Sequence, residues 1–117
     1  MSLKVLIHVN EPERWHIALN NITNMLKDDE GRSIETHVIS NGRGVNGYVA
    51  RNDEAVKSEI ERMEELAKRS VKFFACNNAL VAQKIDAQEL PAFVTVVASS
   101  MTEMVKRQAQ GFAYIKP

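Results

Sequence analysis

The 117-residue sequence predicts an α/β fold: a mostly parallel sheet with helices covering its faces. Two observations carry this. Short apolar runs alternate with segments whose apolar residues recur at helical spacing, in the order βαβαβαβα(β). No hairpin dipeptide joins consecutive runs, so the strands must be linked by crossovers.

The elements follow in order. Lys4-Val5-Leu6-Ile7-His8-Val9 is a near-continuous aliphatic run, the pattern of a strand covered on both faces, and is expected to be the first, central strand. Asn10-Glu11-Pro12 breaks it, with a Pro suited to a first helical turn. Trp15, Ala18, Leu19, Ile22, Met25 and Leu26 then form one apolar stripe, and Asp28 to Arg32 ends the helix with a polar turn in which Gly31 can take the left-handed conformation. Ser33 to Ser40 is a second strand, and its polar Glu35, Thr36 and His37 place it in a less enclosed position. The glycine-rich Asn41–Gly47 segment reads as a flexible loop, after which Asn52-Asp53-Glu54 opens a helix with Val56, Ile60, Met63 and Ala67 inward.

Residues 71–76 make a buried strand that stops at the only cysteine, Cys76, where Asn77 or Asn78 could cap a following short helix. A polar connection over 85–91 leads to a β-branched strand, Phe93–Ala98. Ser100-Met101-Thr102-Glu103 matches a capping box and opens a last helix through Met104, Val105, Gln108 and Ala109 to Gly111. The tail Phe112–Pro117 is too apolar for a frayed end and is expected to add a fifth strand or to pack on a neighbouring subunit.

At this length the chain is a single domain, residues 1–117, with a core of its own. Fifteen basic residues balance fifteen acidic ones, so no global field recruits nucleic acid or an anionic bilayer, and neither partner is expected. No apolar stretch has membrane-spanning length, and a single cysteine cannot form an internal disulfide; a reducing cytoplasm is the expected compartment.

Gly42-Arg43-Gly44-Val45-Asn46-Gly47 satisfies G-x-G-x-x-G after a strand, but the helix begins later and no acidic residue ends the next strand, which weighs against a dinucleotide site. Asn10-Glu11-Pro12-Glu13 lacks the small-residue amides that cradle a flavin phosphate. His8, His16 and His37 have no metal-ligand spacing, and His8 is more simply a hydrogen-bonded core residue. No metal and no cofactor is expected. The remaining candidate is Cys76, a thiol at a strand-to-helix corner, where helix-start amides favour thiolate and Lys72, Lys84 or an Arg of the glycine loop could add support. Asn10, Gly42, Arg43, Gly44, Asn77 and Asn78 are the candidate ligand-binding residues around it, and Arg43 and Arg51 could hold an anion near the strand ends.

Five segments carry a resemblance: Lys4–Val9, Val38–Val45, Phe73–Leu80, Val94–Ser100 and the ending Gln108-Ala109-Gln110-Gly111-Phe112-Ala113-Tyr114-Ile115-Lys116-Pro117. Together they make the chain resemble the DsrE/DsrF-like family of small sulfur-metabolism proteins. The resemblance implies a three-layer α/β/α domain of flavodoxin-like architecture with a five-stranded, mostly parallel sheet. It also implies homo-oligomers, commonly trimers or hexamers, and a cysteine after a middle strand that carries a persulfide between donor and acceptor proteins; Cys76 holds the matching position. The expectation is a sulfur carrier using Cys76. The alternatives are a non-catalytic oligomeric module binding a small anionic ligand, and a structural subunit assembled through its apolar tail.

Overall fold

The structure, a computed structural model, describes residues 2–117. Its sheet has five parallel strands, β1 (Lys4–Val9), β2 (Glu35–Ser40), β3 (Lys72–Cys76), β4 (Val94–Val97) and β5 (Ala113–Ile115), in the order β4-β3-β2-β1-β5. The helices are α1 (Trp15–Met25), α2 (Asp29–Arg32), α3 (Glu54–Lys68), α4 (Asn77–Ala82) and α5 (Ser100–Ala109). Three 3₁₀ segments, Pro12–Arg14, Gly42–Tyr48 and Ala87–Glu89, complete the connections.

The layering follows from the strand order. From β1 to β4 the chain steps one way across the sheet, so right-handed crossovers put α1 to α4 on one face. From β4 to β5 it returns over three strands, and the same handedness puts α5 on the other face. The first face carries the main core, in which Val5, Ile7, Val9, Val38, Phe73 and Ala75 pack under Trp15, Leu19, Ile22, Met63, Leu66 and Leu80. The second carries a small cluster of Leu6, Ile39, Met104 and Phe112, edged by Phe74. A fully buried Leu or Ile contributes roughly 1.5–3 kcal/mol, so the first face dominates stability.

Several expectations are corrected. β2, not β1, is the middle strand of the sheet. The polar residues that suggested an open position are mostly enclosed: Thr36 and His37 are buried, with Thr36 donating to the Ile34 carbonyl at 3.1 Å and His37 Nδ1 accepting from Arg107 Nε at 3.0 Å. Gly31 does not terminate α1 in the left-handed region. It lies inside α2, where a Cβ would collide with the Met25 carbonyl, and its amide is capped by Asp28 at 2.7 Å. The cap of α5 is Ser99, one residue before the expected box, and α5 turns Ser100, Met104 and Arg107 inward while Val105 is 62% exposed. A reciprocal box does form elsewhere, between Asp86 and Glu89, inside the segment expected to be a plain polar connection.

Arg107 is the least expected member of the core. It donates to His37 Nδ1 at 3.0 Å and to Glu103 Oε1 at 2.8 Å, and lies over the Phe74 ring at 4.5 Å. Glu35 sits 2.9 Å from His37 Nε2 but outside hydrogen-bond geometry, so that nitrogen makes no directed bond. This cluster fastens the lone helix of the second face to the middle strand.

Candidate functional site

Cys76 is both the last residue of β3 and the N-cap of α4, with extended backbone (φ −74°, ψ 122°). An N-cap side chain faces the amides two and three residues on. The sulfur therefore lies where a Ser or Asp oxygen would cap, over the Asn78 and Ala79 amides, and the start of α5 brings the Ser100 amide and hydroxyl to it from the other side. No directed capping bond closes to the sulfur; what reaches it is the field of N–H and O–H dipoles. Burial pushes the thiol up, but the Ser100 hydroxyl and the amides of Ala79, Ser100 and Asn78 together outweigh it and hold Cys76 below its ordinary value. Each unit of lowering multiplies the thiolate fraction about tenfold near neutral pH.

Among the described residues the main influences on the thiol are dipoles rather than cations. Lys72 lies at the opposite end of β3 and Lys84 beyond the end of α4, and neither they nor Arg43 are among those influences. Arg51 is occupied by Glu89 at 3.0 Å and the Lys84 carbonyl at 3.3 Å, tying two loops together rather than holding an anion. Arg43 reaches only Glu13, at 3.7 Å with both side chains more than half exposed, an arrangement that fixes little.

The glycine segment is not a flexible loop. It is a 3₁₀ turn with Gly44, Val45, Gly47 and Tyr48 buried. Gly42 needs its freedom, at φ +52°, whereas Gly44 and Gly47 are required by close approach, to Val9 and Ser40 in one case and to the Trp15 ring in the other. The Gly44 amide is taken by the Asn10 and Asn41 carbonyls at 3.2 and 3.0 Å, and its carbonyl by Trp15 Nε1 at 2.8 Å. No amide of Gly44 is left to cradle a phosphate, and α3 begins well after the glycines, at Glu54 with Asp53 as its cap. Asn10, Gly42 and Gly44 thus meet one another, while the side chains of Asn77 and Asn78 are exposed and only the Asn78 amide addresses the sulfur.

Three groups escaped the sequence reading. Ser100 is 4% exposed and takes a 3.0 Å bond from Asn41 Nδ2. Asn41 Oδ1 lies 2.8 Å from His8 Nε2, and His8 Nδ1 lies 2.6 Å from the Tyr114 hydroxyl. His8 is indeed a hydrogen-bonded, buried residue, but it belongs to the site's network. The only available signal was position: each of these residues sits at or just past the carboxyl half of a strand.

Concavity marks a different place. A cavity of about 410 Å³, lined by Ala67, Lys72, Phe73, Phe93 and Thr95 among others, opens toward the amino end of β3. Its lining offers Ser70, Lys72 and Thr95 but no Asp, Glu, His or Cys to activate them, so chemistry rather than volume selects the Cys76 end. Among the described residues no three His, Cys, Asp or Glu side chains converge as a metal site would need, and no helix is long and apolar enough to cross a membrane.

Fold and site together define a parallel three-layer α/β/α domain with one polarised thiol at the carboxyl ends of its strands. The chain belongs to the DsrE/DsrF-like family, whose sequence profile matches residues 3–117. It is similar to a solved protein of unknown function, MTH1491 of Methanobacterium thermoautotrophicum, at 31% identity and TM-score 0.84, covering 98% of this chain and 99% of that one. A second protein of unknown function, BT1422 of Bacteroides thetaiotaomicron, shares the fold at 16% identity and TM-score 0.69, over 97% and 94% of the two chains. No curated protein matches the chain.

Proposed function

We propose that this protein is a sulfur carrier of intracellular sulfur metabolism, working in a reducing cytoplasm and using Cys76 to accept and pass on a persulfide sulfur. One observation carries the reading: three amides and a hydroxyl are the groups that favour the anion of a lone thiol. Membership of the DsrE/DsrF-like family supports a role in sulfur relay. The Cys76 thiolate attacks the outer sulfur of a donor persulfide. A new S–S bond forms at Cys76, the donor's S–S bond breaks, and its electron pair leaves on the donor sulfur as thiolate. An acceptor thiolate then repeats the exchange on Cys76, with no net oxidation.

The carrier would act as a homo-oligomer, a trimer or hexamer, between donor and acceptor proteins. Exposed Met101 and Val105 on α5, and Val96, Tyr114 and Ile115 on the two edge strands, are the apolar surface that supports self-association. The second reading, a non-catalytic module in which Cys76 only packs, is favoured by that residue's 5% exposure.

The two part on one experiment. Purified protein is incubated with glutathione persulfide and its intact mass measured, wild type beside Cys76→Ala. The carrier gains one sulfur atom, and the variant gains none. An unmodified wild type would remove the carrier reading and leave the packing one.

A further inference from the structure

Every strand of the sheet supplies one polar group to a single chain of contacts: Tyr114 on β5, His8 on β1, Asn41 just after β2, Ser100 after β4 and Cys76 at the end of β3. The direction of that chain is set by Asn41. Its Oδ1 can only accept, so His8 donates from Nε2 across 2.8 Å. A neutral imidazole protonated there offers Nδ1 as an acceptor, and the Tyr114 hydroxyl donates to it across 2.6 Å. On the other side Asn41 Nδ2 can only donate, so Ser100 Oγ accepts across 3.0 Å and its own proton is free to turn to the sulfur. All donors point one way, and the run ends at Cys76.

The reverse direction would satisfy the same groups equally well among themselves. With His8 protonated on Nδ1 and donating to Tyr114, the Asn41 amide would turn over, and Ser100 would donate to its Oδ1. Only the sulfur would notice, because it would lose its hydroxyl donor. A network kept merely for packing is indifferent to this choice, whereas a network serving the thiolate is not.

Resting on the reading that Cys76 works as a thiolate, we infer that Tyr114, His8 and Asn41 are positioning residues that fix the Ser100 hydroxyl toward Cys76. Tyr114 sets the His8 tautomer, the tautomer sets the Asn41 amide, and the amide sets the hydroxyl. The last link lies on the short edge strand, with Tyr114 43% exposed, so the state of the C-terminal strand is transmitted to the thiol.

The test combines two readouts on the full chain. Nitrogen-15 NMR of the imidazoles in wild type reads the His8 tautomer directly and needs no variant; protonation at Nε2 is expected, and protonation at Nδ1 overturns the inference. The pH midpoint of Cys76 alkylation is then compared in Tyr114→Phe and Asn41→Asp. Asp accepts from both neighbours and takes the Ser100 proton, so its midpoint should rise by about one pH unit, the scale of one charged hydrogen bond. Tyr114→Phe should rise by less. Unmoved midpoints in both variants, with circular dichroism showing the fold retained, would also overturn it. A wild type that shows the Nε2 tautomer and variant-sensitive midpoints yet accepts no sulfur defeats the carrier reading alone, so the two failures are distinguishable.

Discussion

Trp15→Ala is expected to cost about 3–5 kcal/mol of stability, the range for deleting a large buried aromatic. Trp15 is 0% exposed, packs on Tyr48 at 5.1 Å and Phe73 at 6.3 Å between ring centroids, and donates from Nε1 to the Gly44 carbonyl at 2.8 Å. Gly47 exists to let that ring approach. The loss should therefore reach the site, because the turn that Trp15 anchors is the one that starts from Asn41. Urea unfolding reads the stability; a rise in Cys76 alkylation rate at fixed pH under native conditions reads the loosening. A cost under about 1 kcal/mol would contradict its place at the centre of the core.

Arg107→Leu is expected to cost about 1–3 kcal/mol, by a different mechanism, the loss of a buried group's hydrogen-bond partner. Leucine fills the site but leaves His37 Nδ1 without its donor and Glu103 without its 2.8 Å partner. The same cluster sets a pH dependence. Burial, then the Arg107 charge, holds His37 below its ordinary value of 6.5, against the opposing pull of Glu35, with a small further depression from Lys72. The unfolded chain thus takes up the proton at higher pH than the folded one does. Wild-type stability should fall as pH drops through about 6.5 and level off below the folded-state value. Urea midpoints at about pH 7.5 and about pH 5.5 measure this slope, and Arg107→Leu should flatten it by removing one of the two main causes. A steeper slope in the variant would contradict the assignment.

These cases show where the sequence is readable and where it is not. The aliphatic run Lys4–Val9, the stripe from Trp15 to Leu26 and the strand ending at Cys76 are local patterns, and each becomes the element it suggests. The layer order is not local. Glu35, Thr36 and His37 look like the residues of an open strand, because the groups that satisfy or cover them, chiefly Arg107 and Phe112, lie some seventy residues on. Arg107 likewise reads as surface until the return crossover presses α5 onto the middle strand.

The site divides in the same way. Cys76 is legible because a strand stopping at a lone cysteine is a signal within a few residues, and the same corner geometry implies amide support. The cations expected to assist it are close to it only in sequence, and the fold sends them elsewhere: Lys72 to the other end of β3, Arg43 to Glu13. Its actual partner, Ser100, reads in the sequence only as the start of a capping box for the last helix. The link from Asn41 to Ser100 spans 59 residues and that from His8 to Asn41 spans 33, so only the parallel register, which brings the strand ends side by side, could reveal them.

The account stands on a thiolate held by dipoles alone, and the most direct measurement is the rate of Cys76 alkylation as a function of pH in wild type and Ser100→Ala. The wild-type midpoint should lie below the free-cysteine value of about 8.5, and Ser100→Ala, which keeps the backbone amides but loses the hydroxyl, should raise it by about one unit. A wild-type midpoint at or above about 8.5 that Ser100→Ala leaves unchanged would mean that burial wins and that Cys76 is a packed core residue.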